Sequence, residues 1–586
     1  MKPHNDTLPN PKEIEKEIGE FLKNKFGDTV RLISPFSKPV AETEETDTHA
    51  GVRKQRLMNF SLKPMELIDY LDQFIIRQDA AKAVLATKVC THFNRIHQAL
   101  QSESSETELV GRIKNNILMI GSTGVGKTYM IRLIAKKLGV PFIKGDATKF
   151  SETGYVGRDV EDLVRDLVRE ADDDVEMAEY GIIYIDEIDK IASSRNLIGA
   201  DVSKTGVQRA LLKPMEETDV ELKVPHDPIS MMQELEHYQR TGKKESRTIN
   251  TGNILFIVSG AFSGLDEIIG KRLNTHAIGF HAPVDMRNNT AAILKQVKTE
   301  DLVDYGFESE FIGRLPVKTV FDELSQDDLF AILSNPNNPI VLSKKRDFSA
   351  YGIAVKFHPN ALKRIAELAF QEKTGARGLV GVMESVLLPF ESCLPSLKID
   401  RFPVDVEVID APDALLDTLK TGTVPDTWQY RFKKIDAIEK ALVSGYTRNN
   451  WKKLSLEHQL TLTSYRISHI AELYSRYAMT IDACIQHLKD YYDEVKRLEM
   501  AFFNNNDINL ILEEDAIDRL IDLFIRTDMD YDDFYRQLND DFRDALKLLQ
   551  ERVGMQRFFI PGRALEDPKA YLSDLLREKL SRDEPS

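Results

Sequence analysis

Cysteine is scarce in this chain. Cys90, Cys393 and Cys484 are the only three in 586 residues, far apart and without a CxxC pair. A disulfide scaffold and a thiolate zinc site are both poor readings, and a reducing compartment is the simplest one. Long apolar runs are missing too: none approaches the roughly 20 residues that cross a bilayer. Met1 to Asn10 lacks the apolar stretch of a secretory signal. Positive charge is the minority, 78 Lys and Arg against 94 Asp and Glu, for a net charge of -16 and a pI near 5.4. Neutralising phosphates needs a basic face, so the balance argues against nucleic acid, although a local basic patch stays open. The expectation is a cytoplasmic protein with no membrane and no nucleic acid partner. Hydrophobic residues at 42% and charged ones at 29% are ordinary for a globular chain, and 586 residues exceed one compact core.

Along the chain, Ile14, Ile18, Leu22 and Phe26 give an amphipathic stripe over 12–32, and the polar, acidic stretch 33–56 reads as a linker. From about 60, helical patterns alternate with short apolar runs: Asn116 to Ile120, Gly181 to Ile185, and Asn253 to Ser259. That alternation predicts a parallel sheet with helices on its faces. A polar segment, 221–250, interrupts it and reads as a surface loop. Past about 320 the pattern is mostly helical, with one strand-like stretch at Ile353 to Phe357. Residues 406–586 are again mainly helical, with an apolar stripe of Ile481, Ile485, Leu488, Tyr492 and Val495 that reads as helix packing.

Chemistry concentrates in two places. Gly121-Ser122-Thr123-Gly124-Val125-Gly126-Lys127-Thr128 follows an apolar strand and opens a helix. Its glycines let backbone N–H groups wrap phosphates, Lys127 reaches the β and γ phosphates, and the Thr128 hydroxyl can bind Mg²⁺. Some 60 residues on, Ile182-Ile-Tyr-Ile185 ends in Asp186 and Glu187, at the strand end where open α/β sheets bind ligands. Asp186 can hold Mg²⁺ through water, and Glu187 can align and deprotonate the attacking water. Taken alone, two acids there could merely cap a helix; beside a phosphate loop the catalytic reading is favoured.

Further stretches carry a family likeness: Leu71-Asp-Gln-Phe-Ile-Ile-Arg-Gln-Asp79, Asp146-Ala-Thr with Gly154-Tyr-Val-Gly157, Gly206-Val-Gln-Arg-Ala-Leu-Leu, Ser259-Gly-Ala-Phe, Glu310-Phe-Ile-Gly-Arg-Leu-Pro316 and Lys373-Thr-Gly-Ala-Arg-Gly378. In content and order they resemble the ClpX-like AAA+ unfoldases of the Clp/HslU family over roughly 62–400. The resemblance implies an AAA+ P-loop α/β domain with a parallel sheet at 61–320, after an N-terminal helix and linker at 1–60. It implies a small helical domain at 321–405, leaving a mainly helical C-terminal extension at 406–586. It also implies an ATPase with ATP and Mg²⁺ as cofactors, assembled as a homohexamer. Ile75 and Ile76 would pack on adenine, and Arg377 would be the sensor-2 arginine. Arg314 would be an arginine finger for the neighbouring subunit, and Ser259 stands near the sensor-1 position. Tyr155 and Val156 fall on a pore loop, where a flat amphipathic ring can grip many polypeptide sequences. Ile278-Gly279-Phe280 matches the family's docking signature for a ClpP-like peptidase. The implied function is unfolding and translocating protein substrates for that peptidase. A stand-alone remodelling chaperone and a nucleotide-gated scaffold with little turnover are the competitors; intact Lys127, Glu187 and Arg314 argue against the latter.

Four features depart from the family. Its Cys-rich zinc-binding domain has no counterpart, Arg77 stands where glycine is usual, and the 220–250 segment lacks the basic Arg-Lys-His loop. About 180 residues also follow the usual end. Within them, 507–523 resemble 352–368 at a constant offset of 155, which suggests a degenerate copy of the small domain near 507–550; Asp532 falls opposite Arg377. A chance likeness between two strand–helix units is the other reading.

Overall fold

The computed structural model describes residues 61–101, 114–150, 159–193, 202–222, 248–276, 290–421, 427–526 and 531–580. The expected helix at 12–32, the linker at 33–56, Tyr155, Val156 and Ile278-Gly279-Phe280 lie outside them, as do 223–247 of the polar segment.

The apolar runs become strands. β1 (Ile117–Ile120), β2 (Phe142–Asp146), β3 (Ile182–Asp186), β4 (Asp219–Glu221), β5 (Thr248–Asn250), β6 (Leu255–Gly260) and β7 (Val317–Val320) follow in chain order. Five of them form one parallel sheet in the order β2-β3-β6-β1-β7. The inner strands β1 and β6 are buried at every residue, because helices cover both faces of the sheet. Their alignment, Ile120 beside Gly260 and Val320, brings the phosphate loop and the ends of β3 and β6 to one edge. β4 and β5 pair antiparallel, so the polar segment leaves and re-enters through a two-stranded stem and its last residues are strand.

A second core follows. β8 (Ala354–Phe357) pairs in parallel with β9 (Arg401–Val404), and the helices Pro359–Gln371 and Ala376–Cys393 lie between them in the chain. The strand-like stretch expected at Ile353 to Phe357 is β8, and the unexpected β9 completes a small sheet with it in the otherwise helical region. Its core extends to Leu416, Leu419 and Trp428, beyond the expected boundary at 405. Only the stretch Ala376–Leu397 is long and apolar enough to cross a membrane among the described residues; it buries Leu379, Met383, Leu387 and Phe390 in this core.

The extension builds a third core from the helices Trp428–Asn449, Trp451–His458, Ser464–Tyr477 and Ile481–Asn506, with a parallel pair of β10 (Asn509–Leu512) and β11 (Arg557–Ile560). In the stripe read from the sequence, Ile481, Ile485, Leu488 and Val495 are fully buried, and Tyr492 is half-buried.

Candidate active site

The phosphate loop is a turn that only glycine can make at its centre. Gly124 has φ +80°, and a Cβ there would lie 2.1 Å from the Thr374 carbonyl oxygen. That closeness has a purpose in the fold. The Ala376 N–H donates to the Gly124 carbonyl at 2.9 Å, so the first turn of the helix bearing Arg377 docks directly on the loop.

A cavity of about 430 Å³ opens at this junction. Thr123, Gly124, Val125, Gly126, Lys127 and Thr128 line it with Asp186, Glu187, Arg377, Ile75 and Ile76. Gly121 and Ser122 stand just behind, their carbonyls accepting from Lys127 Nζ at 2.5 and 2.9 Å. Burial holds the Lys127 ammonium below the ordinary lysine range, at about 8, against the pull of Asp186 and Asp189 and with a push from Arg377.

Asp186 is the hub. Its Oδ1 accepts from Ser259 Oγ at 2.7 Å and from the Glu187 N–H at 3.1 Å. Its Oδ2 accepts from Thr128 Oγ1 at 3.3 Å and pairs with Lys144 Nζ at 2.8 Å. Burial opposes its ionisation, but the bonds from Lys144 and Ser259 outweigh burial and keep the carboxyl below its usual range. The buried Tyr184 hydroxyl ties Thr128 (3.1 Å) to Ser259 (2.6 Å). Ser259 therefore bonds the Asp186 carboxylate and is not among the residues that line the cavity. Glu187 is exposed and has φ 57°, a left-handed geometry that costs a non-glycine residue about 1 kcal/mol. It projects at the strand end beside the loop, where a water could be deprotonated.

The far end of the cavity is apolar. Phe74, Leu324, Ile332, Pro339 and Ile340 join Ile75 and Ile76 there. Gln78 fixes this end to the chain between the two cores, donating to the Asp322 carbonyl at 2.7 Å and accepting from its N–H at 2.8 Å. Arg77 has φ 60°, a left-handed geometry that glycine adopts at no steric cost, and its guanidinium bonds Asp328 at 2.7 Å. The motif reading missed Phe74, Lys144, Tyr184 and the small-domain wall. Phe74 lies inside a segment already singled out and was a visible signal; Lys144 was not, because the register of β2 on β3 is what carries it to Asp186.

Arg314 is elsewhere. It does not line this cavity and pairs instead with Glu216. Its carbonyl accepts from Asn116 Nδ2 at 3.1 Å, and the same amide bonds the Met215 carbonyl at 3.2 Å. Its backbone is thus fixed to the start of the sheet, while its guanidinium is half-exposed.

Residues 112–318 match the AAA domain (Cdc48 subfamily) family. The ATP-dependent Clp protease ATP-binding subunit ClpX of Treponema denticola is 40% identical over 339 residues, which cover 57% of this chain and 78% of that protein.

Proposed function

The chain belongs to the ClpX family of AAA ATPases, and on that premise we propose that it is an ATP-driven protein unfoldase and translocase, assembled as a homohexameric ring and feeding a ClpP-like peptidase. The observation that carries the reading is the cavity, where a glycine phosphate cradle, two strand-end carboxylates and an apolar pocket meet at the joint between two cores. Three unpaired thiols fit work in the cytoplasm.

In this reading Ile75 and Ile76 hold adenine, and the N–H groups around Gly124 and Gly126 hold phosphate oxygens. Lys127 exchanges its two carbonyl partners for the β and γ phosphates. Thr128 and Asp186 hold Mg²⁺; hydroxyl and carboxylate oxygens are the donors such a hard cation takes. When bound, the metal neutralises charge on the phosphates. Glu187 takes the proton from the attacking water. Arg377, anchored through Ala376 to the loop, follows the state of the phosphates. Arg314 faces away from its own cavity and completes a neighbour's site in the ring, so an isolated chain turns over slowly. Tyr155 and Val156 pull the substrate, and Ile278-Gly279-Phe280 docks the peptidase.

The same proposal takes the end of the extension as a degenerate second small domain. The order strand, two helices, strand, two helices recurs from β10 as from β8, and both strand pairs are parallel. An ion pair recurs as well, Arg364 with Asp410 and Arg519 with Glu566. Asp532 is the second residue of its helix, as Arg377 is of its own. The copy therefore lacks the charge that would meet a phosphate.

Tyr155→Ala tests the gripping role. The variant is expected to keep ATP turnover within about twofold and to lose unfolding of a tagged, stable protein. Unfolding at the parent rate would remove Tyr155 from that role.

A further inference from the structure

Lys144 lies on β2, beside Tyr184 in the parallel register with β3, two residues short of the strand end that carries Asp146 beside Asp186. Its stem runs past the Tyr184 ring, with Nζ 6.0 Å from the ring centre, and the ammonium reaches Asp186 Oδ2 at 2.8 Å. It lines the cavity together with Lys127 and Arg377. Nothing in the phosphate-loop chemistry described so far uses it.

The two oxygens of Asp186 are unequal. Ser259 and the Glu187 N–H occupy Oδ1. Oδ2 faces Thr128, the other group read as a metal ligand, and Lys144 is bound there. A divalent cation held by Thr128 and Asp186, directly or through its water, needs the side of Oδ2 where the ammonium lies. Two cations a few ångströms apart repel strongly wherever water is partly excluded. Lysine is suited to yield, because its charge rides on a flexible four-carbon stem.

We infer that Lys144 is a resident counter-cation for Asp186, holding Oδ2 while no metal is there and giving it up when Mg²⁺ enters with the nucleotide. Two consequences run in the same direction. With Lys144 present, nucleotide phosphates approaching without metal meet a neutralised carboxylate and are not repelled. With Lys144 present, Mg²⁺ must displace an ammonium. Both lessen the dependence of nucleotide binding on Mg²⁺. A coupling of this kind is reciprocal between the two ligands and commonly amounts to 5- to 150-fold.

The inference rests on the cavity being the nucleotide site. Its test is ADP binding by titration calorimetry on the full chain, with Mg²⁺ and again with EDTA, read as the dissociation constant in EDTA divided by that in Mg²⁺. Lys144→Met is expected to raise that ratio about tenfold, and Lys144→Arg, which keeps the charge, to stay near the parent. If Lys144→Met fails to fold, Lys144→Gln serves for the same comparison. An unchanged ratio overturns the inference and leaves the nucleotide site standing. Equal rises in the Arg and Met variants would assign the effect to packing and also overturn it. A parent chain that binds no ADP under either condition sinks the site reading and the inference together.

Discussion

Lys127 binds two loop carbonyls, and burial holds its ammonium at about 8. Only the protonated form attracts phosphate. Below pH 8 the nucleotide-free pocket already carries the charge; above it, a growing fraction is neutral and binding must take up a proton. ADP affinity is therefore expected to fall about five- to tenfold between pH 7.5 and 9, with proton uptake rising over the same range. Calorimetry in two buffers of different ionisation enthalpy reads both. A flat affinity with no proton uptake would contradict the low value. The lysine's place in the loop was legible in the sequence because the glycines and Thr128 are its neighbours in the chain. Its depressed value was not, since that comes from burial and from Arg377 working against Asp186 and Asp189, and only the fold brings these together. Lys144 and Tyr184 escaped for the same reason: the register of β2 on β3 creates their contacts.

The central strands announced themselves as continuous apolar runs because both of their faces are covered. β9 and β11 did not. Arg401-Phe-Pro-Val404 is short, and Pro403 reads as a break; a two-stranded sheet tolerates it because the strand has a free edge. Its partner is also distant in sequence, so no local periodicity marks it. The contacts that the helix Pro339–Ser349 and β8 make with the extension were likewise invisible. Lys345 and Lys356, each with a side chain only 3% exposed, share Glu439 on the helix Trp428–Asn449. Lys356 Nζ also bonds the Ser475 carbonyl at 2.6 Å. Glu439→Ala would take the carboxylate from the buried Lys345 ammonium, while Lys356 would keep Asp436 at 3.1 Å. A loss of about 3 kcal/mol is expected, because breaking a buried pair from one side strands the other charge. The urea midpoint reports it, and a change below about 1 kcal/mol would contradict the burial described.

Across the whole molecule, the extension contacts elements on both sides of the cavity. Lys453 Nζ donates to the Asp69 carbonyl, and Glu457 pairs with Lys137, the latter within the helix that follows the phosphate loop. On the other side, Tyr446 accepts from Asn337 at 3.1 Å, and Tyr474 donates to the Pro336 carbonyl at 3.1 Å. Asn338 and Pro339, next in the chain, line the cavity. The family likeness stops near residue 400, so this placement could not be read from it.

All of these levels meet in one requirement: the cavity must turn ATP over, and Glu187 must be the group that lets it. The direct measurement is ATP hydrolysis and ATP binding by the parent and Glu187→Gln, each with and without an unfolded protein. The parent is expected to hydrolyse ATP, faster when the unfolded protein is present. Glu187→Gln is expected to bind ATP as tightly as the parent and to lose at least about a hundredfold in turnover, as removal of a general base does. Parent-like turnover in Glu187→Gln, or a parent that binds ATP and never hydrolyses it, would contradict the account.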